Sequence, residues 1–258
     1  MRARVALRER PLLDVFDLAI RFCVAHARAY ARVSCAVVVP AFALSWTVAR
    51  TAGWGLAWAT VVLTTSFAGA PFVALASRLV FADEVRAIDA LGLALRSLPR
   101  LAGARLLALL AFLASLLLAG LPWLWAGTAM LFLAEVIVLE NARVGASLAR
   151  AQRVANAHFG TALLAMVLLG LAPLAGAMLA DLGGRELLQD VLEIKAPASM
   201  FASGGSVLAL LGWWLTVPLA ATARFFVYLD IRTRAEGWDI QTRFAAIASR
   251  TAAAGALS

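Results

Sequence analysis

The feature that most constrains this chain is a stretch of 29 uncharged residues, 106–134, which lies between Arg105 and Glu135. A helix of about 20 apolar residues crosses a bilayer core that is roughly 30 Å thick. The stretch is therefore too long for one ordinary span and too short for two. Extending it to 101–139 and breaking it at Gly120-Leu-Pro122 gives two spans of about 19 residues, joined by a tight turn.

Four further apolar segments are long enough to cross a membrane, at about 33–50, 55–80, 159–180 and 205–228. The composition agrees, because 63% of the residues are apolar and 15% are charged, against about 45–50% and about 25% in soluble domains. We expect an all-α polytopic membrane protein in which six transmembrane helices form three hairpins. Residues 1–258 would form a single integral membrane domain, with no room for a separate soluble catalytic domain.

Amphipathic segments precede the hairpins and are expected to lie on the membrane surface. Residues 12–30 have an apolar face and a charged face, with Asp17 and Arg21 placed to pair at i,i+4. Similar segments follow at 86–100, where Pro99 is expected to end the helix, and at 143–159. These segments predict a layer of surface helices on one side of the membrane.

The basic residues predict which side that is. Six spans place both termini on one side, and 20 of the 23 basic residues fall there. The positive-inside rule then predicts that both termini lie in the cytoplasm. Seven of the eight tryptophans lie toward the other side, as an interfacial belt would. The net charge of +8 is explained by this topology, and we expect no nucleic-acid partner.

The order of segments indicates an internal repeat of surface helix, span, span and acidic exit. The candidate repeats are 11–83, 84–140 and 141–230, followed by a cytoplasmic tail helix over 231–258. Proline precedes the exit acid by the same twelve residues in Pro71–Asp83 and in Pro218–Asp230. Short matches in a chain rich in alanine and leucine also arise by chance, so composition alone is the alternative explanation.

Three motifs in chain order carry a resemblance to a known family: Arg10-Pro-Leu-Leu-Asp-Val-Phe-Asp-Leu-Ala19, Val138-Leu-Glu-Asn-Ala-Arg143 leading into Ser147–Arg153, and Tyr228-Leu-Asp-Ile-Arg-Thr-Arg-Ala-Glu-Gly-Trp-Asp239. With them the chain resembles the bacterial six-span proteins related to the membrane domain of glycerophosphoryl diester phosphodiesterase. The resemblance implies a six-span fold in the inner membrane of a bacterium and leaves the function open. It does not imply phosphodiesterase activity, because the spans account for nearly all of the sequence.

One acidic residue falls inside a predicted span. Glu135 lies in the fourth span, where a charged side chain costs about 2.5–3.5 kcal/mol. We expect Glu135 to be protonated, or paired with Arg78 or Arg224, which occupy similar depths in the second and sixth spans. These three residues form the candidate intramembrane polar site. It is either a buried polar clamp between helices or a proton or cation site.

A second candidate site lies where the spans leave the membrane. We expect its charged residues to form a cytoplasmic ion-pair network that holds the tail helix, or a docking site for a partner. They are Glu140, Arg143, Asp230, Arg232, Arg234, Glu236 and Asp239.

Motifs for catalysis, metal binding and cofactor binding do not stand out in the sequence, so we expect no cofactor and no enzymatic activity. Cys23 and Cys35 are expected to be free, buried thiols.

The leading hypothesis is a non-enzymatic scaffold or complex subunit. Its cationic face would engage the lipid bilayer, anionic lipid headgroups, a protein partner or a second copy of the chain. The alternative is a small-solute or lipid transporter that uses Glu135 and the proline-kinked helices. A membrane enzyme acting on lipid headgroups is a third hypothesis.

Overall fold

The computed structural model describes residues 11–80, 82, 85–117, 119, 121–140 and 144–236. Within these residues the ordered elements are helices, and no strand occurs. The helices are α1 (Leu12–Ala25), α2 (Ala27–Ala52), α3 (Trp54–Ala68), α4 (Ala70–Leu79), α5 (Ala87–Leu116), α6 (Leu121–Met130), α7 (Leu133–Glu140), α8 (Val144–Ala157), α9 (Phe159–Glu186), α10 (Met200–Ser203) and α11 (Val207–Glu236). A π-helical turn, Leu187–Val191, continues α9.

Six helical segments are long and apolar enough to cross a membrane, which confirms the expected fold class. They are Ala27–Ala52, Trp54–Leu79, Ala87–Leu116, Pro122–Leu139, Phe159–Val191 and Val207–Arg234. We number them as spans 1 to 6. Span 2 consists of α3 and α4, which meet at Gly69, and span 4 consists of α6 and α7, which are separated by a turn at 131–132. The chain is therefore a multi-pass helical membrane protein.

The long uncharged stretch divides where expected, since α5 ends at Leu116 and α6 begins at Leu121. The expectation that Pro99 ends a surface helix is wrong, because Pro99 lies inside the continuous α5. A proline removes one helical hydrogen bond. The surrounding leucine and alanine residues favour helix, and Ala94, Ser97 and Leu101 remain buried on one face across it. The predicted surface segment 86–100 is thus the first half of span 3.

Spans 2, 4 and 6 form the inside of the bundle. Of the most apolar window in each, 56%, 56% and 44% is buried, compared with 17%, 17% and 28% in spans 1, 3 and 5. The outer spans expose large apolar side chains such as Leu109, Leu113, Leu171 and Leu174. In a bilayer these side chains contact lipid, so their exposure is favourable there.

The bundle has two chemically different ends. We call the end that carries α1, α8 and the last turns of α11 the basic end, and the opposite end the Trp-rich end. At the basic end, α1 buries Val15, Ala19 and Phe22, and the Phe22 ring meets Phe226 of α11 at 5.1 Å between centroids. The predicted pair forms here, with Asp17 Oδ2 2.9 Å from Arg21 Nε.

At the Trp-rich end a buried carboxylate organises the longest connection. Asp181, near the end of α9, accepts hydrogen bonds from the Ser199 hydroxyl, the Met200 amide and the Ser206 hydroxyl. The Ser206 hydroxyl also accepts from the Ala209 amide at 2.9 Å and so caps α11. Asp181 therefore joins the end of span 5 to the start of span 6.

Candidate anion-binding cavity

A cavity of about 270 Å³ lies between five of the six spans. Its lining residues fall near the middle of spans 2 and 6, from Thr65 to Gly69 and from Val217 to Arg224, and in the first half of span 4. Most of the wall is apolar or glycine. The residues that complete it are Ala108, Trp123, Gly127, Met130, Leu131, Met166, Leu169, Gly170, Pro173, Ala220 and Ala221, together with Arg105.

Arg105 comes from α5 and is partly buried. Its Nε lies 3.2 Å from the carbonyl oxygen of Ser66, to which it donates. Ser66 is in the last turn of α3, where helical carbonyls lack a partner further along the same helix. Within the described residues this is the only hydrogen bond of the Arg105 side chain, so its terminal nitrogens are left for a ligand.

Arg224 comes from α11 and bridges the cavity to a buried acid. Its Nε lies 2.5 Å from Oε1 of Glu135, a residue whose side chain is 0% exposed. The Arg224 side chain keeps 19% exposure and lines the cavity, whereas Glu135 does not. Within the described chain Oε2 of Glu135 is buried without a hydrogen-bond partner. Glu135 therefore sits behind Arg224, away from the space a ligand would occupy.

The charges around the cavity do not cancel. Two guanidinium groups line it, and Glu135 is the only carboxylate among the described residues that contacts either of them. With one carboxylate for two arginines, the site carries an excess positive charge inside an apolar bundle. Such a charge is costly in the membrane interior unless it is paired. An anion between Arg105 and Arg224 would supply the missing charge and accept their free N–H groups.

Two of the spans that line the cavity are interrupted beside it. Gly69 separates α3 from α4, and Leu131 lies in the turn between α6 and α7. Gly69 lies directly beside the arginine, because a Cβ atom there would be in van der Waals contact, at 3.5 Å, with a terminal nitrogen of Arg224. Interrupted helices at mid-membrane depth are typical of transporter binding sites.

Of the two predicted partners of Glu135, Arg224 forms the contact and Arg78 does not. Arg78 is instead 4.0 Å from Asp89, and both side chains are more than 40% exposed. Arg105 was not among the predicted site residues. The sequence contains a signal for it, because Arg105 is a charged residue inside the first of the two spans predicted within 101–139. The sequence pattern does not reveal how each helix is rotated about its axis. That rotation decides which charged side chains at one depth face each other.

The second predicted site is described in part. Asp230 and Arg234 form an i,i+4 pair at 2.7 Å, and Arg232 donates to the Tyr228 hydroxyl at 3.2 Å while its guanidinium lies 5.9 Å from that ring's centroid. Arg143 and Asp239 lie outside the described residues, as does the predicted tail helix beyond Glu236. Glu140 and Glu236 end α7 and α11, and their side chains also lie outside the description.

The remaining chemistry is sparse. No group of three or more metal-binding side chains occurs among the described residues. Cys23 and Cys35 are free, as expected, but they are not fully buried, since Cys23 is half-buried and Cys35 is exposed on the surface of span 1. At the basic end, burial raises the pKa of the Cys23 thiol above its usual value, so it stays protonated near neutral pH.

Comparison with known proteins finds no match among family models, curated proteins or solved structures. The fold class therefore rests on the six spans and the candidate site on its geometry.

Proposed function

We propose that this protein is a transporter, without enzymatic activity, for a small oxyanion that binds in the central cavity between Arg105 and Arg224. The observation that carries the proposal is the excess positive charge at mid-span depth, where two guanidinium groups face one cavity and only Arg224 is paired with a carboxylate. A carboxylate or phosphate group matches the planar, multi-donor geometry of guanidinium groups. The alternative in which Glu135 binds a cation is less favoured, because Glu135 is fully buried behind Arg224.

The shape of the cavity supports a small ligand and a mobile wall. A volume of about 270 Å³ is at the lower end of ligand pockets. Its wall contains Gly69 and Gly170 and the proline of α9, Pro173. Interruptions and prolines are positions where a helix bends with few hydrogen bonds lost. Bending there would open the cavity to one side at a time.

The proposal includes the orientation of the protein in the membrane. The basic end would face the cytoplasm of a bacterium and the Trp-rich end the outside of its inner membrane. Trp46 and Trp54 pack together at the Trp-rich end, with ring centroids 6.1 Å apart, as do Trp58 and Trp213 at 5.8 Å. Such aromatic groups anchor a protein at the interface between lipid and water.

The test is uptake into liposomes that contain the purified protein. Radiolabelled inorganic phosphate and succinate are supplied outside as the free-anion arms. A fluorescent phosphatidylglycerol, followed by chemical quenching of the outer leaflet, is the lipid arm. We expect movement in a free-anion arm above that in protein-free liposomes, whereas movement in the lipid arm alone would contradict a small-oxyanion substrate and indicate a lipid transporter. Arg105→Gln should weaken it roughly 10- to 100-fold, because a hydrogen bond to a charged group contributes about 1.5–3 kcal/mol.

Arg78→Gln is the matched control, since Arg78 lies in an inner span but outside the cavity. Transport by Arg105→Gln at the wild-type rate would refute the role of the cavity, and no transport in any arm would refute the proposal. The scaffold hypothesis would then be preferred to the third one, a membrane enzyme acting on lipid headgroups. It is favoured by α1, which carries a charged face and exposed apolar side chains at the basic end.

A further inference from the structure

A second cavity of about 630 Å³ opens at the basic end and is separate from the central cavity. We call it the basic cleft. It lies between the end of α1, the start of α2 and the connection from α4 to α5. Its lining residues are Val24, Ala25, His26, Ala27, Arg28, Ala29, Arg32, Leu79, Val85 and Arg86.

Three arginines give the basic cleft its charge. Arg28 and Arg32 lie one helical turn apart on α2, and Arg86 faces them from the start of α5. All three are exposed, and within the described residues none has an ion-pair partner. No described carboxylate lines the cleft. The cleft is therefore suited to a ligand with negative charge.

Four helix termini also meet at the basic cleft, two starts and two ends. α2 begins at Ala27 and α5 begins directly after Arg86, whereas α1 ends at Ala25 and α4 ends at Leu79. A helix start carries partial positive charge and a helix end partial negative charge, so these contributions largely offset one another. The attraction of the cleft for an oxyanion therefore comes from the arginine side chains.

The rim of the basic cleft is apolar on the side that continues along α1. Val24 is 70% exposed, and it lies on one helical stripe with Leu13 and Ile20, opposite the stripe that packs on the protein. An exposed apolar stripe beside a cationic cleft matches a phospholipid, which has an anionic headgroup and apolar chains. A free phosphate would use the cleft and leave the stripe uncovered.

We propose that the basic cleft binds the headgroup of an anionic phospholipid, with the phosphate between Arg28, Arg32 and Arg86 and the acyl chains along the outer stripe of α1. This site is separate from the transport site, because no residue lines both cavities. Lipid bound there would hold α1 to the bundle and to the membrane.

The test measures the affinity of the full-length protein for phosphatidylglycerol in detergent micelles, from the rise in melting temperature as lipid is added. Phosphatidylcholine is the zwitterionic comparison and should give little rise. The variant Arg28→Gln/Arg32→Gln/Arg86→Gln should bind phosphatidylglycerol roughly 100-fold more weakly, since each arginine near an anionic lipid contributes about a fivefold factor.

The matched control removes the same charge elsewhere at the basic end, in Arg21→Gln/Arg150→Gln/Arg153→Gln, on α1 and α8. None of these arginines lines either cavity, so this variant should keep most of the wild-type affinity. Equal losses in the two variants, or an unchanged affinity in the cleft variant, would overturn the proposal. If the triple cleft variant does not fold, the single variants Arg32→Gln and Arg86→Gln, each with a roughly fivefold loss expected, are compared with Arg153→Gln. Stabilisation of the wild type by inorganic phosphate to the same extent would also overturn it, because the acyl chains would then contribute nothing.

Discussion

At the scale of single residues, the Glu135–Arg224 pair is the strongest constraint on the interior. Glu135 is fully buried and Arg224 largely so, and one carboxylate oxygen of Glu135 has no hydrogen-bond partner in the described chain. A buried pair of this kind gains little over an apolar pair, yet removing one member leaves an uncompensated charge. The pair therefore ties α7 to α11 and makes each residue dependent on the other.

Replacing Arg224 by leucine should lower the free energy of unfolding by about 3–5 kcal/mol, because Glu135 would lose the cation that compensates its buried charge. The measurement is denaturation in mixed detergent micelles, followed by tryptophan fluorescence. Arg78→Leu is the control and should cost less than about 1 kcal/mol, since its partner is distant and both groups are exposed. The double variant Glu135→Gln/Arg224→Leu should recover part of the loss. A double variant less stable than Arg224→Leu would contradict this account.

At the scale of elements, spans 5 and 6 approach each other through small residues. A Cβ atom added at Gly212 of α11 would overlap the carbonyl oxygen of Gly176 in α9 and would lie 2.5 Å from the Cβ of Ala180. Gly176 and Ala180 are one turn apart, which is the small-residue spacing that lets membrane helices pack closely. This contact sets the distance between α9 and α11, and both helices line the central cavity.

Gly212→Ala should therefore destabilise the protein by about 1–3 kcal/mol, the usual cost of overpacking a close contact. Gly183→Ala is the matched control in α9, because a Cβ there meets no atom within 4 Å. That variant should be neutral or more stable by up to about 1 kcal/mol, since alanine favours helix over glycine. Thermal unfolding of the two purified variants in detergent compares them directly. Equal melting temperatures would show that the helices are not held at this distance.

At the scale of the whole molecule, the spans form two groups. Spans 2, 4 and 6 are the more buried and contain Glu135, Arg224 and the two helix interruptions, whereas spans 1, 3 and 5 face outward. Each predicted hairpin thus contributes one outer and one inner span, an arrangement that three equivalent units would produce. The repeat itself stays a prediction.

The orientation is testable on intact cells. In a background with Cys23→Ser and Cys35→Ala, single cysteines are introduced as Ala198→Cys at the Trp-rich end and Ala157→Cys at the basic end, both at exposed positions. A membrane-impermeant maleimide should label Ala198→Cys on intact cells and Ala157→Cys only after lysis, as the positive-inside rule requires. The reverse labelling would place the basic end outside.

The fold could be read from the sequence to a large extent, and the site only in part. The number of spans and the break near Gly120 followed from apolar length, because the bilayer sets how many residues a helix needs. Glu135 was identified because a charge in a span is rare. The continuation of α5 through Pro99 was missed, since the pattern could not show that Ala94 and Leu101 pack on one face across the proline.

By itself, the sequence determined a six-span helical membrane protein with one basic end. The reason is that the length of each apolar segment and the position of the charges beside it decide how the chain crosses a bilayer. Only the tertiary structure decided that Glu135 contacts Arg224 and not Arg78, and that Arg105 lines the same cavity as Arg224. These outcomes depend on the rotation and contact distance of neighbouring helices. Both are set by packing between residues far apart in the chain, such as Gly176 and Gly212.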